Sequence, residues 1–308
     1  MRLLILLISV MAVVPAAAQV EHNLLRRIAV FPIADANYGN AEDSWWQMRE
    51  ALTKDQRFFV ASRRFMINRG VFQPRRTLKP ADAIILGKIL DAQALVTSYV
   101  DDRTMKMKIY EGENGYLLWE GEAPFHPAIS INDQLIRTST QLMNVFISTV
   151  PYQGFQVVDE LVGKPVFEDD KKYFAHVFVG ANSQYEVGDS VQWIRVTGDV
   201  SKSYFGSSEK VTVYAEGKIK ELKGDRVVVE VLKLRDVSDL KENSLIRFPK
   251  EVQRLKELYS QDEKGANLSS EYLSSEIRES SEVNKGQNTT SSALTWIVNI
   301  ATFVLLAF

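Results

Sequence analysis

Side chains able to do chemistry are present in this sequence, but their spacing seldom gathers them. The histidines His22, His126 and His176 lie far apart, without the His-x-x-x-His type of spacing that lets imidazoles share a metal. His126, between Phe125 and Pro127, reads as a loop residue, and His176 as part of a strand face. Asp35-x-Asn37-x-Gly39 opens like a calcium loop, yet the later glycine and the twelfth-position glutamate are out of register, and a turn accounts for it better. Gly87-Lys88 lacks the upstream glycine and the following Ser or Thr of a phosphate loop, and it falls in a helical stretch. The carboxylates Asp101-Asp102 and Glu168-Asp169-Asp170 would do acid–base work only if one partner's pKa were raised selectively, and no neighbour in sequence does that. Solvated turns suit them better. Cysteine is absent, which excludes disulfides, thiolate catalysis, thiolate zinc sites and a lipid-modified N-terminal cysteine. No catalytic, cofactor or metal site is expected, and no cofactor.

Two other groups point to binding. Arg63, Arg64, Arg69, Arg75, Arg76 and Lys79 crowd one short stretch, suited to an anionic partner if they are not simply a solvated face. The uncharged end, ALTWIVNIATFVLLAF over 293–308, reads as a membrane anchor built on Trp296, Ile297, Val298, Ile300, Phe303, Val304, Leu305, Leu306 and Phe308. Sixteen helical residues span about 24 Å, a little short of a hydrocarbon core of about 30 Å. Trp296 stands where an interfacial aromatic would. Packing of this segment on the folded body is the alternative. The sequons at Asn267 and Asn288 matter only in a glycosylating secretory route.

The elements that must position these residues follow from composition and periodicity. At 308 residues, 45% hydrophobic and 25% charged, the chain has room for about two domains. A net charge of −2 offers no attraction to nucleic acid. Residues 1–18 form a signal peptide: Arg2, an apolar run over 3–14, and Pro15-Ala16-Ala17-Ala18 before the cleavage point. The protein is therefore expected to be exported.

A polar lead-in over 19–26 precedes RIAVFPI (27–33), whose continuous apolar run predicts a buried strand. Trp45, Met48 and Leu52 at helical spacing predict a helix over 41–56, followed by a strand in RFFVAS (57–62) and a helical turn at 63–69. Pro80 opens a helix expected to carry Ile85, Ile89 and Leu90 inward, which runs into a strand over 94–100. Met105, Met107 and Ile109 alternate with Lys106 and Lys108, and a turn at 111–115 leads to a strand where Leu117 and Trp119 should share a face. Ser130 caps a helix to Val150 with Ile131, Leu135, Leu142, Val145 and Phe146 as its stripe, and Pro151 stops it. This order predicts an α/β domain over 19–152, a mixed sheet flanked by helices. Short strands at 155–160, 173–179, 190–196, 210–222, 226–232 and 245–248, punctuated by Gly-Asp turns, predict a small all-β barrel over 153–249 with residues 200–208 as an exposed hairpin tip. A short helix at 250–259 and a Ser/Glu/Asn-rich tether to 292 then lead to the hydrophobic helix over 293–308.

The segments RIAVFPI, RFFVASRR, ADAIILGKILDAQALVTSYV and MKIYEGENGYLLWEGE resemble a bacterial envelope superfamily. It includes the curli pore subunit, the penicillin-binding-protein activators, the TolB amino-terminal domain and the flagellar H-ring assembly protein FlgT. The resemblance covers residues 27–150. YEVGDSVQWIRV (185–196) with KGDRVVVEVL looks like the C-terminal barrel of FlgT-type proteins, which makes that the nearest member. Thr97-Ser98 replaces a glycine common in the superfamily, and the tail is not a feature of it. What the resemblance implies is a non-catalytic periplasmic protein, a scaffold or assembly factor of a membrane-associated complex of the flagellar basal-body type. Its partners would be envelope proteins and a second copy of itself, with the membrane held through the tail. Activation of a cell-wall synthase is the alternative, and a wall-acting enzyme using Asp101 and Asp102 a third.

Overall fold

In the computed structural model, which describes residues 19–36, 39–158, 163–180, 184–199 and 201–258, the chain enters through β1 (Gln19–Glu21), a strand belonging to the second half of the molecule. The expected polar lead-in is thus partly a strand, and beyond it His22 and Leu25 are buried. The first half is a five-stranded mixed sheet. β2 (Arg27–Val30) runs parallel to β3 (Phe59–Val60) on one side and β4 (Ala94–Asp101) on the other; β5 (Thr104–Glu111) and β6 (Leu117–Pro124) continue antiparallel. Side chains alternate across this sheet, as the strand period of two dictates. Ile28, Val30, Ala94 and Val96 face one layer with α1 (Ala41–Asp55) and α4 (Ile131–Thr149). Ala29, Phe31 and Leu95 face the other, with α2 (Arg63–Asn68) and α3 (Pro80–Leu90).

Two expectations about facing are corrected. Ile85 and Ile89 point outward, Ile85 being 56% exposed, while Ala83, Leu86, Gly87 and Leu90 are buried. A methyl added at Gly87 would lie 2.2 Å from the Gly112 carbonyl oxygen. The helix therefore rests on the β5–β6 turn through its smallest residue and turns its isoleucines away. Leu117 and Trp119 also part company. A bulge sets Tyr110 opposite Leu117 and Ile109 opposite Trp119, so Leu117 joins the α2–α3 layer while Leu118 and Trp119 both enter the α1–α4 layer. The Ser130 cap on α4 is present, its hydroxyl accepting from the Asp133 amide at 3.2 Å.

The second half closes on itself. β7 (Gly154–Val157), β9 (Lys172–Phe178), β10 (Ser190–Asp199), β11 (Lys210–Lys223), β12 (Arg226–Leu234) and β13 (Leu245–Arg247) form a six-stranded ring in the order β10-β11-β12-β9-β7-β13 and back to β10, each pair antiparallel. β8 (Val166–Asp169), in a stretch not expected to be a strand, pairs with β9, and β1 adds to β10 beyond the end of β13. Inside, the Trp193 indole donates to Gln156 Oε1 at 2.8 Å, and the Gln156 amide donates to the Pro165 carbonyl at 2.7 Å. The buried polar atoms of both side chains are thereby satisfied. A helix over 249–258 follows.

Both halves belong to one compact unit. The expectation of an exposed tip at 200–208 is corrected at its two aromatic residues. Tyr204 and Phe205 are 3% and 1% exposed and pack in the α1–α4 layer of the first half. The Tyr204 hydroxyl points its proton at the carbonyls of Val20 (2.8 Å) and Val196 (2.9 Å). A second fastening lies at the end of α4, where buried Arg57 pairs with Asp55 and donates to the carbonyls of Tyr152 and Ile147. Burial works against that guanidinium, and the charge and hydrogen bonds of Asp55 outweigh it, leaving its pKa raised. The stretches expected as signal peptide, tether and hydrophobic helix at 293–308, Trp296 included, lie outside the described residues.

Candidate functional site

The chemistry-bearing residues singled out above do not converge. His22 is buried between the rings of Tyr204 (5.2 Å) and Phe205 (4.9 Å), with Nδ1 3.5 Å from Glu111 Oε1. His126 holds the entry to α4, its Nδ1 accepting from the Ala128 amide at 3.2 Å. His176 stands on β9 with its ring 5.4 Å from Phe167. Among the described residues no group of three or more His, Asp or Glu could hold a metal. Asp35 occupies a left-handed turn position and pairs with Arg76; Asn37 lies outside the described residues. Gly87-Lys88 sits inside α3. Hydrogen bonds from Lys106, its charge, and Arg76 hold the Asp101 carboxyl below the usual carboxylate range, which suits an ion-pair partner rather than an acid. Asp102 and Asp170 occupy left-handed turn positions.

What does converge is arginine with aromatic rings, at one end of the α/β half. Trp45 is buried and its indole donates to the Val30 carbonyl at 2.8 Å. That anchors α1 so that Trp46, 45% exposed, is presented next to it, ring centroids 4.8 Å apart. One turn on, Arg49 lies over both indoles at 4.7 and 4.8 Å. Phe72 meets the Trp45 ring edge-on at 5.2 Å, and Arg63 covers Phe72 at 5.3 Å while pairing with Glu42. Arg69 lies over Phe65 (5.4 Å), Arg75 over Phe31 (5.4 Å) and Arg76 over Tyr99 (4.8 Å), the last also bonded to Asp35 and Asp101.

The local sequence explains the arrangement. Ser62 caps α2, accepting from the Phe65 amide at 3.2 Å, and Pro80 starts α3, so the basic loop between them is fixed at both ends. Each guanidinium on a ring is worth about 0.5–1 kcal/mol where exposed. The larger effect is orientation: a planar fork already held flat loses less freedom when it meets a carboxylate. Arg63, Arg69, Arg75 and Arg76, named in the sequence cluster, are part of this face. Arg64 and Lys79 are exposed and make none of its ring or ion-pair contacts. Trp46, Arg49 and Phe72 were not expected there, although Trp45-Trp46-x-x-Arg49 places Arg49 one helical turn from both indoles and carried the signal.

No family model matches the chain, and no curated protein matches it. Solved structures show a distant similarity to bacterial envelope proteins. The LpoB C-terminal domain from Escherichia coli is 16% identical, over 33% of this chain and 82% of that one, with a TM-score of 0.27. The PelC dodecamer from Paraburkholderia phytofirmans is 12% identical over 41% and 92%, with a TM-score of 0.26. TolB from Acinetobacter baumannii is 10% identical over 70% of this chain and 63% of its own length, less than two thirds, with a TM-score of 0.28. These values are too low for any property of those proteins to transfer. Among the described residues no helix is long and apolar enough to cross a membrane.

Proposed function

We propose that this chain is a non-catalytic, exported envelope protein that serves as a scaffold or assembly factor of a membrane-associated complex, of the flagellar basal-body type. The observation that supports it is the arginine–aromatic face around α1, α2 and the basic loop. Arginine and large aromatics are the residue types enriched at the energetic centres of protein interfaces. Here five arginines of α1, α2 and the basic loop, Arg49, Arg63, Arg69, Arg75 and Arg76, are held on rings before any partner arrives. Arg63, Arg64, Arg75, Arg76 and Lys79 form the charged side of the contact and an acidic protein surface its complement. The fastened halves supply a rigid body to dock against. Residues 293–308 hold that body at a membrane.

Three proteins purified from native membranes test this: the full chain, a chain ending at Ser292, and the full chain with Trp46→Ala and Arg75→Ala. The full chain should fractionate with membranes and bring down a defined set of partners. The shortened chain should become soluble, and the double variant should stay at the membrane but lose partners at least tenfold. A double variant that recovers the same partners in the same amounts overturns the docking face. A shortened chain that remains with membranes overturns the anchor.

A further inference from the structure

A second recognition site, sharing no residue with the arginine–aromatic face, lies where the two halves meet. There a crevice of about 810 Å³ is bordered by the segment after β1, by Gln93 and Glu113 of the first half, and by β10, β11 and the loop into β13 of the second. That volume is within the usual range for ligand sites, roughly 300–1,000 Å³. Its decisive residue is Arg26, in the link between β1 and β2. The guanidinium is laid against Phe59 of the first half at 4.6 Å and against Phe155 and Phe178 of the barrel at 4.8 and 6.0 Å. Its Nε is buried with no hydrogen-bond partner, and among the described residues it forms no ion pair. One donor of this ring-held, half-buried cation is thus buried and unsatisfied, a cost that an acceptor drawn to the guanidinium from outside would offset. Desolvation lowers its pKa, in keeping with that cost.

The rest of the lining narrows what the acceptor can be. Arg195 is already committed: it lies over Tyr214 at 5.1 Å and bonds Asp239 at 3.2 Å, with Glu21 at 3.8 Å. It therefore covers the tyrosine face on which a sugar ring would stack. Lys241 is exposed and, like Arg26, makes no ion pair among the described residues. Four carboxylates, Glu21, Glu113, Asp239 and Glu242, border the same space. They disfavour a multiply charged anion such as phosphate more than a singly charged one. Glu113 and Glu242, which Arg195 does not engage, also accept hydrogen bonds from a ligand that brings its own N–H groups. A peptide does both, offering a singly charged carboxylate to Arg26 and backbone amides to the acids.

We propose that this crevice binds an extended peptide segment through a carboxylate received by the Arg26 guanidinium, with Lys241 supporting it. The test is a titration of the full chain, followed by amide chemical shifts at low salt, with a blocked pentapeptide of four glycines around one glutamate. The same peptide with glutamine, and inorganic phosphate, serve as comparisons. The glutamate peptide should perturb residues bordering the crevice and bind at least tenfold tighter than the glutamine peptide, as expected when a charge-assisted bond is lost. Arg26→Gln should reduce glutamate-peptide affinity about tenfold, with Arg26→Lys in between because it keeps the charge and loses the fork. Equal binding of the two peptides overturns the proposal, as does phosphate binding tighter than the glutamate peptide. A folded Arg26→Gln chain with unchanged affinity overturns it too. Should Arg26→Gln not fold, Lys241→Glu on the exposed loop decides: loss of affinity supports the site, and unchanged affinity overturns it.

Discussion

The two halves of the molecule handle positive charge differently. In the α/β half and the link leading into it, seven arginines lie on aromatic rings among the described residues: Arg26, Arg49, Arg57, Arg63, Arg69, Arg75 and Arg76. The barrel half has one, Arg195. Its cations are chiefly exposed lysines in direct contact with carboxylates, such as Lys172 with Glu230 (2.8 Å), Lys233 with Glu216 (2.8 Å) and Lys250 with Glu186 (2.8 Å). A guanidinium is weakly hydrated and flat, so it can be seated on a ring and still offer its edge. An ammonium is a strongly hydrated point charge on a flexible stem. One half thus carries oriented guanidinium groups, and the other a solvating coat.

The sharpest way to break that division is to separate the halves. Phe205→Ala removes the ring the barrel inserts into the first half's core and should cost about 3–5 kcal/mol. In urea, the single unfolding transition should split in two; an unshifted single transition would show that the tip does not fasten the halves. Gly87→Ala acts inside the α/β half alone. It forces α3 away from the Gly112 carbonyl and should cost about 1–3 kcal/mol in thermal unfolding, with the barrel's indole signal from Trp193 lost last. At high pH the fastenings themselves titrate. Burial raises the pKa of Tyr204 and of Tyr152, whose hydroxyl accepts from the Leu25 amide at 2.9 Å, so the folded state favours their neutral forms. Their contribution is intact below the free tyrosine value of about 10 and declines as pH rises beyond it. Phenolate absorbance from these two rings should appear together with loss of near-ultraviolet circular dichroism, not before it. Arg75→Lys keeps the charge but loses the flat contact with Phe31, at about 0.5–1 kcal/mol, and should weaken partner capture. Lys233→Gln should change neither partner capture nor the unfolding midpoint, because an exposed lysine pair adds little.

Much of this architecture was legible in the sequence where local period and capping agree. RIAVFPI, the Ser130-capped helix and the Met105/Met107/Ile109 alternation each have one arrangement that buries their apolar face. Errors arose where a distant contact decided. PADAIILGKIL is apolar nearly all round, so its inward side depends on Gly112 meeting Gly87, which no window over the helix contains. The bulge that separates Leu117 from Trp119 depends on register with β5. Tyr204 and Phe205 sit among glycine and serine, the composition of a loop tip, and only the neighbouring half gives them a place. The same holds for recognition: the arginine cluster at 63–79 was visible as charge, whereas the rings beneath it come from Phe31, Phe65, Phe72 and Tyr99, spread across four segments.

The pairing of Gln19 with Asp199 places the earliest described stretch of chain beside β10, a strand far along the sequence. Such a contact must wait until about two thirds of the polypeptide is present, and non-local pairings of this kind slow folding. During synthesis the leading end would stay unpaired while later segments arrive, a state open to chaperones and proteases. Cutting the gene at the apparent boundary near residue 152 would have a related effect, baring the rim of β10 at Thr197–Asp199 and leaving a sticky border prone to self-association.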